Sequence, residues 1–289
     1  MKIIYFDIDG TLRDENTGVS EKTKYVIKEC KRNGIKTIIC TGRNPGSVQK
    51  DILELELDGG IYSGGCLVEF ENRQIQNIAF PMIFVKEIID MQEQQETVGK
   101  NQNGLAIETG KMVYMNRKAS ELYNELFREK TKEFSETDRK RIKEKNHFLY
   151  EDNIKKFDPE GEKAYKICFT GKQEELEKWK KELEGRCSVV QFIPFGKEWL
   201  LECTPEDCDK GQAVKRLNEF LGIEKKDSMS FGDGENDIPL LLATGTGIAM
   251  KNGSGKLKEI ATGICDSVQN DGIYYEMANR RLIQYFIKS

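Results

Sequence analysis

A single histidine, His147, in 289 residues leaves no material for a histidine-built metal centre. In the charged stretch KRIKEKNHFLY it reads as a surface or packing residue. The eight cysteines, Cys30, Cys40, Cys66, Cys168, Cys187, Cys203, Cys208 and Cys265, include no C-x-x-C pair, which argues against zinc and dithiol redox motifs and for reduced thiols. No apolar run reaches 18 residues, and the N-terminus enters KIIYFDID without the apolar core of a signal peptide. Neither a membrane span nor secretion is expected; a cytoplasmic protein is. A net charge of −4 offers no field that would gather nucleic acid, so any recognition of phosphate must be local. The run from Arg128 to Lys145 mixes both signs and reads as a solvated face.

What is present is an alternation. KIIYFDID reads as a buried strand, SEKTKYVIKECKRNG as a helix with Ser20 as N-cap and Gly34 at its end, and IKTIICTG as a second strand. PGSVQKDILELE then reads as helical and GGIYSGG as extended, which is the pattern of a parallel sheet with crossover helices. From about residue 67 to 204 the rhythm changes. Hairpins are expected around Glu71 and Asn72 and around Gly110, with helices over VKEIIDMQEQQ, RKASELYNELFRE and KQEELEKWKKELE and strands over SVVQFI and EWLLECT. This reads as an α+β domain inserted in an α/β chain. The βα rhythm returns with DKGQAVKRLNEFLG, DSMSFGDG, NDIPLLLAT, TGIAM and GICD.

Four polar clusters fall where the carboxyl ends of parallel strands are expected, the edge at which open α/β sheets bind ligands. In DIDGT, strand alternation points Asp7 and Asp9 the same way, and two anions in one volume call for a cation, a proton or donors. Thr41 and Gly42 offer a hydroxyl and a backbone N–H for an anion, or a plain turn. Lys210 follows the expected N-cap Asp209, so its charge sits at the wrong end of a helix dipole unless an anion such as Asp7 or a phosphate is nearby. GDGEND adds Asp233, Asn236 and Asp237, the last two also able to cap the next helix. Asp7, Asp9 and Asp233 supply hard oxygen ligands suited to Mg²⁺. GSGK at 253–256 lacks the residues of a P-loop, and DGENDI lacks the spacing of a calcium loop.

Taken in order, the four clusters resemble the motifs of the haloacid dehalogenase superfamily of phosphohydrolases: DIDGTL the first, Thr41 the second, Lys210 the third, GDGEND the fourth. GIAMKNGSGKLKEIA with the later NDGI resembles the Cof-like branch. The resemblance implies a Rossmann-like parallel sheet core with helices on both faces, over residues 1–82 and 204–289, and a large α/β (type C2B) cap over 83–203. It implies Asp7 as nucleophile forming an aspartyl-phosphate and Asp9 as general acid and base. Mg²⁺ would be held by the Asp7 carboxylate, the Asp9 backbone carbonyl and Asp233, with Asn236 and Asp237 in support, and phosphate by Thr41, Gly42 and Lys210. SGG at 63–65 departs from the usual Asn-Gly-Ala, and MKNG at 250–253 from Met-Gly-Asn-Ala. The expected activity is Mg²⁺-dependent hydrolysis of a small phosphorylated metabolite, a sugar phosphate or phosphorylated cofactor. A phosphomutase or phosphotransferase and a silent phospholigand-binding module are the alternatives.

Overall fold

A computed structural model describes residues 1–97, 103–140 and 149–285; His147 and the end of the charge run, 141–145, lie outside them. In chain order the first elements are β1 (Ile3–Phe6), α1 (Glu21–Arg32), β2 (Lys36–Cys40), α2 (Lys50–Leu53), β3 (Gly59–Tyr62), β4 (Leu67–Phe70) and β5 (Arg73–Asn77). Then come α3 (Met82–Thr97), β6 (Gly104–Thr109), β7 (Val113–Met115), α4 (Arg117–Lys130), β8 (Tyr150–Glu151), β9 (Ala164–Gly171), α5 (Gln173–Leu183), β10 (Ser188–Phe195) and β11 (Glu198–Thr204). The chain closes with α6 (Lys210–Leu221), β12 (Ser228–Gly232), α7 (Ile238–Ala243), β13 (Thr246–Met250), α8 (Gly255–Ile260), β14 (Gly263–Cys265) and α9 (Gly272–Asn279). Two compact units result, one of residues 1–42, 50–77 and 209–289, the other of 43–49 and 78–208.

The first unit holds an eight-stranded sheet in the order β14-β13-β12-β1-β2-β3-β4-β5. Strands β14 to β3 are parallel, and β3, β4 and β5 form an antiparallel edge. A central parallel strand is covered on both faces, which is why IIYF is apolar without alternation. Ile3 and Tyr5 pack with Ala213, Val214 and Leu217 of α6 and Leu240 and Leu241 of α7. From the same sheet, Phe6 and Phe231 stack with ring centroids 5.5 Å apart. Ser20 caps α1 by accepting from the Thr23 N–H, and Gly34 follows with φ near +67°. The segment expected to be helical at 45–56 is helical only at 45–47, as a 3₁₀ turn, and 50–53, because the chain at Val48 is extended (φ −72°, ψ 131°).

The second unit holds a six-stranded sheet in the order β10-β11-β9-β6-β7-β8. One face buries Leu105, Ile107, Ile167, Phe169, Leu201 and Cys203 against Val85 and Ile88 of α3 and Leu176, Trp179 and Leu183 of α5. The rings of Phe169 and Trp179 stack at 4.3 Å. Its central strand β9 escapes sequence reading: all eight residues are buried, and Lys166 interrupts the apolar pattern. That lysine is paired in place, 3.3 Å from Glu202 and 3.8 Å from Glu108. All eight cysteines are buried thiols. No helix among the described residues is long and apolar enough to cross a membrane.

Candidate active site

Chain order reverses at β1, which lies between β12 on one side and β2 on the other. The crevice past the carboxyl ends of these strands is where such sheets bind ligands. Asp7 is the first residue beyond β1, and its N–H continues the ladder to Phe231 O at 3.0 Å. The chain then turns back: Leu12 N–H donates to Asp7 O at 3.2 Å and Arg13 N–H to Ile8 O at 2.9 Å, with Gly10 at φ +85°. Asp7 and Asp9 therefore lie in the turn beyond β1, where simple strand alternation does not apply. Asp7 is buried and Asp9, past the bend, is half-buried. The turn requires glycine twice over, since a Cβ at Gly10 would lie 2.2 Å from Asp233 Oδ2.

Lys210 opens α6, with Asp209 as N-cap accepting from Gln212 N–H. The predicted conflict with the helix dipole is resolved by two carboxylates. Lys210 Nζ donates to Asp7 Oδ1 at 2.7 Å and to Asp237 Oδ1 at 2.6 Å, and all three side chains are closed to solvent. The other oxygen of Asp237 accepts from the backbone N–H groups of Asp233 and Gly234, both at 2.9 Å. Asp237 is thus fully engaged in holding the lysine and shaping the loop after β12. Asn236 is exposed, with its Oδ1 folded close over Gly234.

Asp7, Asp233 and Asp237 each bring a carboxylate oxygen within 4.8 Å of the others. Three carboxylates face one ammonium, and the electrostatics show it. Burial, then the Asp237 carboxylate, pushes the Asp7 carboxyl up to about 8 against the pull of Lys210. Burial and Asp237 also raise Asp233, to about 6. Burial pulls the Lys210 ammonium down, but Asp237 and Asp7 outweigh it and hold it above the ordinary lysine value. A divalent cation would relieve the surplus negative charge. With Asp237 committed to Lys210 and the loop, Asp7 and Asp233 are the carboxylates of this cluster placed to hold one, and an all-oxygen donor set fits Mg²⁺.

Thr41 lies beyond the end of β2, buried, its N–H bonded to Ile61 O at 2.8 Å and its carbonyl accepting from Gly64 N–H at 3.1 Å. Gly42 follows it as the last residue of this stretch of the unit. Sequence reading missed Asn252. Its Nδ2 donates to Gly10 O at 2.9 Å and approaches Asp233 Oδ2 at 3.4 Å, while its Oδ1 accepts from Val268 N–H at 3.2 Å. The signal was available: Asn252 in MKNG stands where Met-Gly-Asn-Ala has its asparagine. Arg13 was missed as well, a buried side chain whose Nε donates to both oxygens of Asp51 at 3.2 and 3.0 Å.

Comparison with known proteins places the chain in a family. The chain is 27% identical over 286 residues to YkrA of Bacillus subtilis, covering 98% of this chain and 99% of that one. It is 25% identical over 286 residues to the 5-amino-6-(5-phospho-D-ribitylamino)uracil phosphatase YwtE of the same organism, covering 95% and 96%. Among solved structures, BT1666 from Bacteroides thetaiotaomicron shares the fold, with a TM-score of 0.76 at 24% identity over 98% of this chain and 96% of that one. The family model for haloacid dehalogenase-like hydrolases matches residues 4–277, from β1 into α9, and the chain belongs to that family.

Proposed function

We propose that this protein is a Mg²⁺-dependent phosphatase of the Cof-like type, acting on a small phosphorylated metabolite through an aspartyl-phosphate on Asp7. The observation that carries the reading is the buried bridge of Lys210 to Asp7 and Asp237, beside Asp233. A binding module needs no carboxylate held at such electrostatic cost.

Asp7 is the nucleophile, oriented by Lys210 at one oxygen and leaving the other for attack on phosphorus. Asp9, half-buried at the mouth of the turn, donates a proton to the leaving oxygen and then takes one from the water that cleaves the aspartyl-phosphate. Thr41, the Gly42 N–H and Lys210 bind the phosphoryl oxygens as charge spreads over them. Bound Mg²⁺, held by Asp7, the Asp9 carbonyl and Asp233, supplies neutralisation of phosphoryl charge. Asp237 fixes Lys210, and Asn236 stands at the rim of the same loop.

The segment 83–203 serves as the cap that selects the leaving group. YwtE, similar along nearly the whole chain, is named for a substrate with phosphate on a ribityl chain. This favours a sugar phosphate, polyol phosphate or phosphorylated cofactor precursor here. The cytoplasm suits eight buried thiols. Phosphate release from p-nitrophenyl phosphate and a panel of metabolite esters tests the reading: it is expected to require Mg²⁺ and to vanish in Asp7→Asn. Retention of full activity in that variant removes the nucleophile. Transfer of phosphate to excess sugar in place of release as inorganic phosphate would instead establish a phosphotransferase.

A further inference from the structure

Ser63, just past β3, carries two unfavourable features at once. Its side chain is wholly buried, yet its Oγ has no hydrogen-bond partner among the described residues. Its backbone is left-handed, at φ +50°, a region serine rarely enters. An unsatisfied buried hydroxyl destabilises a fold, and strained residues cluster at ligand sites. The surroundings do not let Ser63 relax. Gly64 N–H is bonded to Thr41 O at 3.1 Å, and Gly65 O accepts from Gln76 Nε2 at 2.6 Å. Gly65, at φ +111°, is packed so closely on α6 that a Cβ there would lie 2.3 Å from Asp209 O. The turn is therefore clamped between Thr41 and Asp209, the residue before Lys210, at the carboxyl edge of the sheet.

We propose that Ser63 is a substrate-contacting residue of this centre, its hydroxyl donating to an oxygen of the bound phosphate ester. The clamps hold the hydroxyl without a partner among the described residues, so the hydrogen bond forms only when the ester arrives. That is differential binding of a preorganised donor. The inference rests on the phosphatase reading and adds a residue to it.

The test compares Ser63→Ala and Ser63→Gly with the wild-type protein in saturating Mg²⁺. Thermal melting is followed together with kcat and KM on p-nitrophenyl phosphate and the metabolite panel. Both variants are expected to melt no lower than wild type, glycine highest because it also relieves the left-handed backbone. Both are expected to lose about tenfold in kcat/KM, the loss of one neutral hydrogen bond to the reacting group. Activity within twofold of wild type in either variant overturns the proposal. So does a lower melting temperature in Ser63→Ala, which would show that the hydroxyl is satisfied within the fold. If the wild-type protein turns over no ester, the phosphatase reading itself fails, and calorimetric binding of inorganic phosphate decides Ser63. Weaker binding in Ser63→Ala supports the contact; equal binding, or none in either protein, excludes it.

Discussion

Asp237 and Lys210 meet at 2.6 Å, with neither side chain open to solvent, and the lysine's other contact is Asp7, 203 residues earlier in the chain. The pair couples stability to the site. A buried ammonium shared by two carboxylates is tolerable only while all three are present.

Replacing Lys210 with methionine leaves Asp7 and Asp237 buried beside each other without a cation. The expected cost is about 3–5 kcal/mol, measured by urea denaturation, together with loss of phosphate release. Adding Asp237→Asn to Lys210→Met is expected to recover much of the stability and none of the activity. An additive double variant would show that the two residues are not coupled.

The raised Asp7 carboxyl gives a pH dependence of definite sign. Between its ordinary value of 3.8 and about 8, the folded protein keeps a proton that the unfolded chain has released. The stabilisation is complete below the ordinary value and is lost as pH rises through that window; Asp233, raised to about 6, adds in the same direction. In a metal chelator the contribution of these two groups lowers the melting temperature from pH 5 to pH 8. Mg²⁺ replaces the protons as the compensating charge, so its addition is expected to raise the melting temperature more at pH 8 than at pH 5. Differential scanning calorimetry at the two pH values checks this, and an equal Mg²⁺ effect at both would contradict it.

Asn252 touches Asp233 and the Gly10 carbonyl, and so acts on metal affinity ahead of turnover. Asn252→Ala is expected to raise the Mg²⁺ concentration for half-maximal activity about 10–100-fold, as losses around metal ligands do. At saturating Mg²⁺, kcat is expected to return to within a few-fold of wild type. A fall in kcat that no Mg²⁺ concentration restores would give Asn252 a different role.

Much of the architecture is legible locally. IIYF, TIIC and the residues after Thr246 are apolar runs of central parallel strands, Ser20 and Asp209 announce the starts of α1 and α6, and Glu71–Asn72 turns the β4–β5 hairpin in left-handed geometry. Reading failed where local pattern and tertiary demand diverge. Strand alternation cannot be carried through Asp7 and Asp9, because β1 ends at Phe6 and the backbone bonds from Leu12 and Arg13 turn the chain there. The helix expected across 45–56 breaks at Val48. Strand β9 hides because Lys166, a poor core residue alone, is acceptable once Glu108 and Glu202 stand beside it.

By itself the sequence determined most of the strands and helices, since burial periodicity, caps and turn residues act over a few positions. It also marked the polar clusters at strand ends from which a site could be built. Only the tertiary structure decided which carboxylates share one volume. It drew Asp237 to Lys210, set Asp233 against Gly10 with Asn252 behind it, and left the Ser63 hydroxyl without a hydrogen-bond partner among the described residues. Those relationships join groups tens to hundreds of residues apart, and their energies depend on burial and distance, quantities that exist only once the sheet has brought the strand ends together.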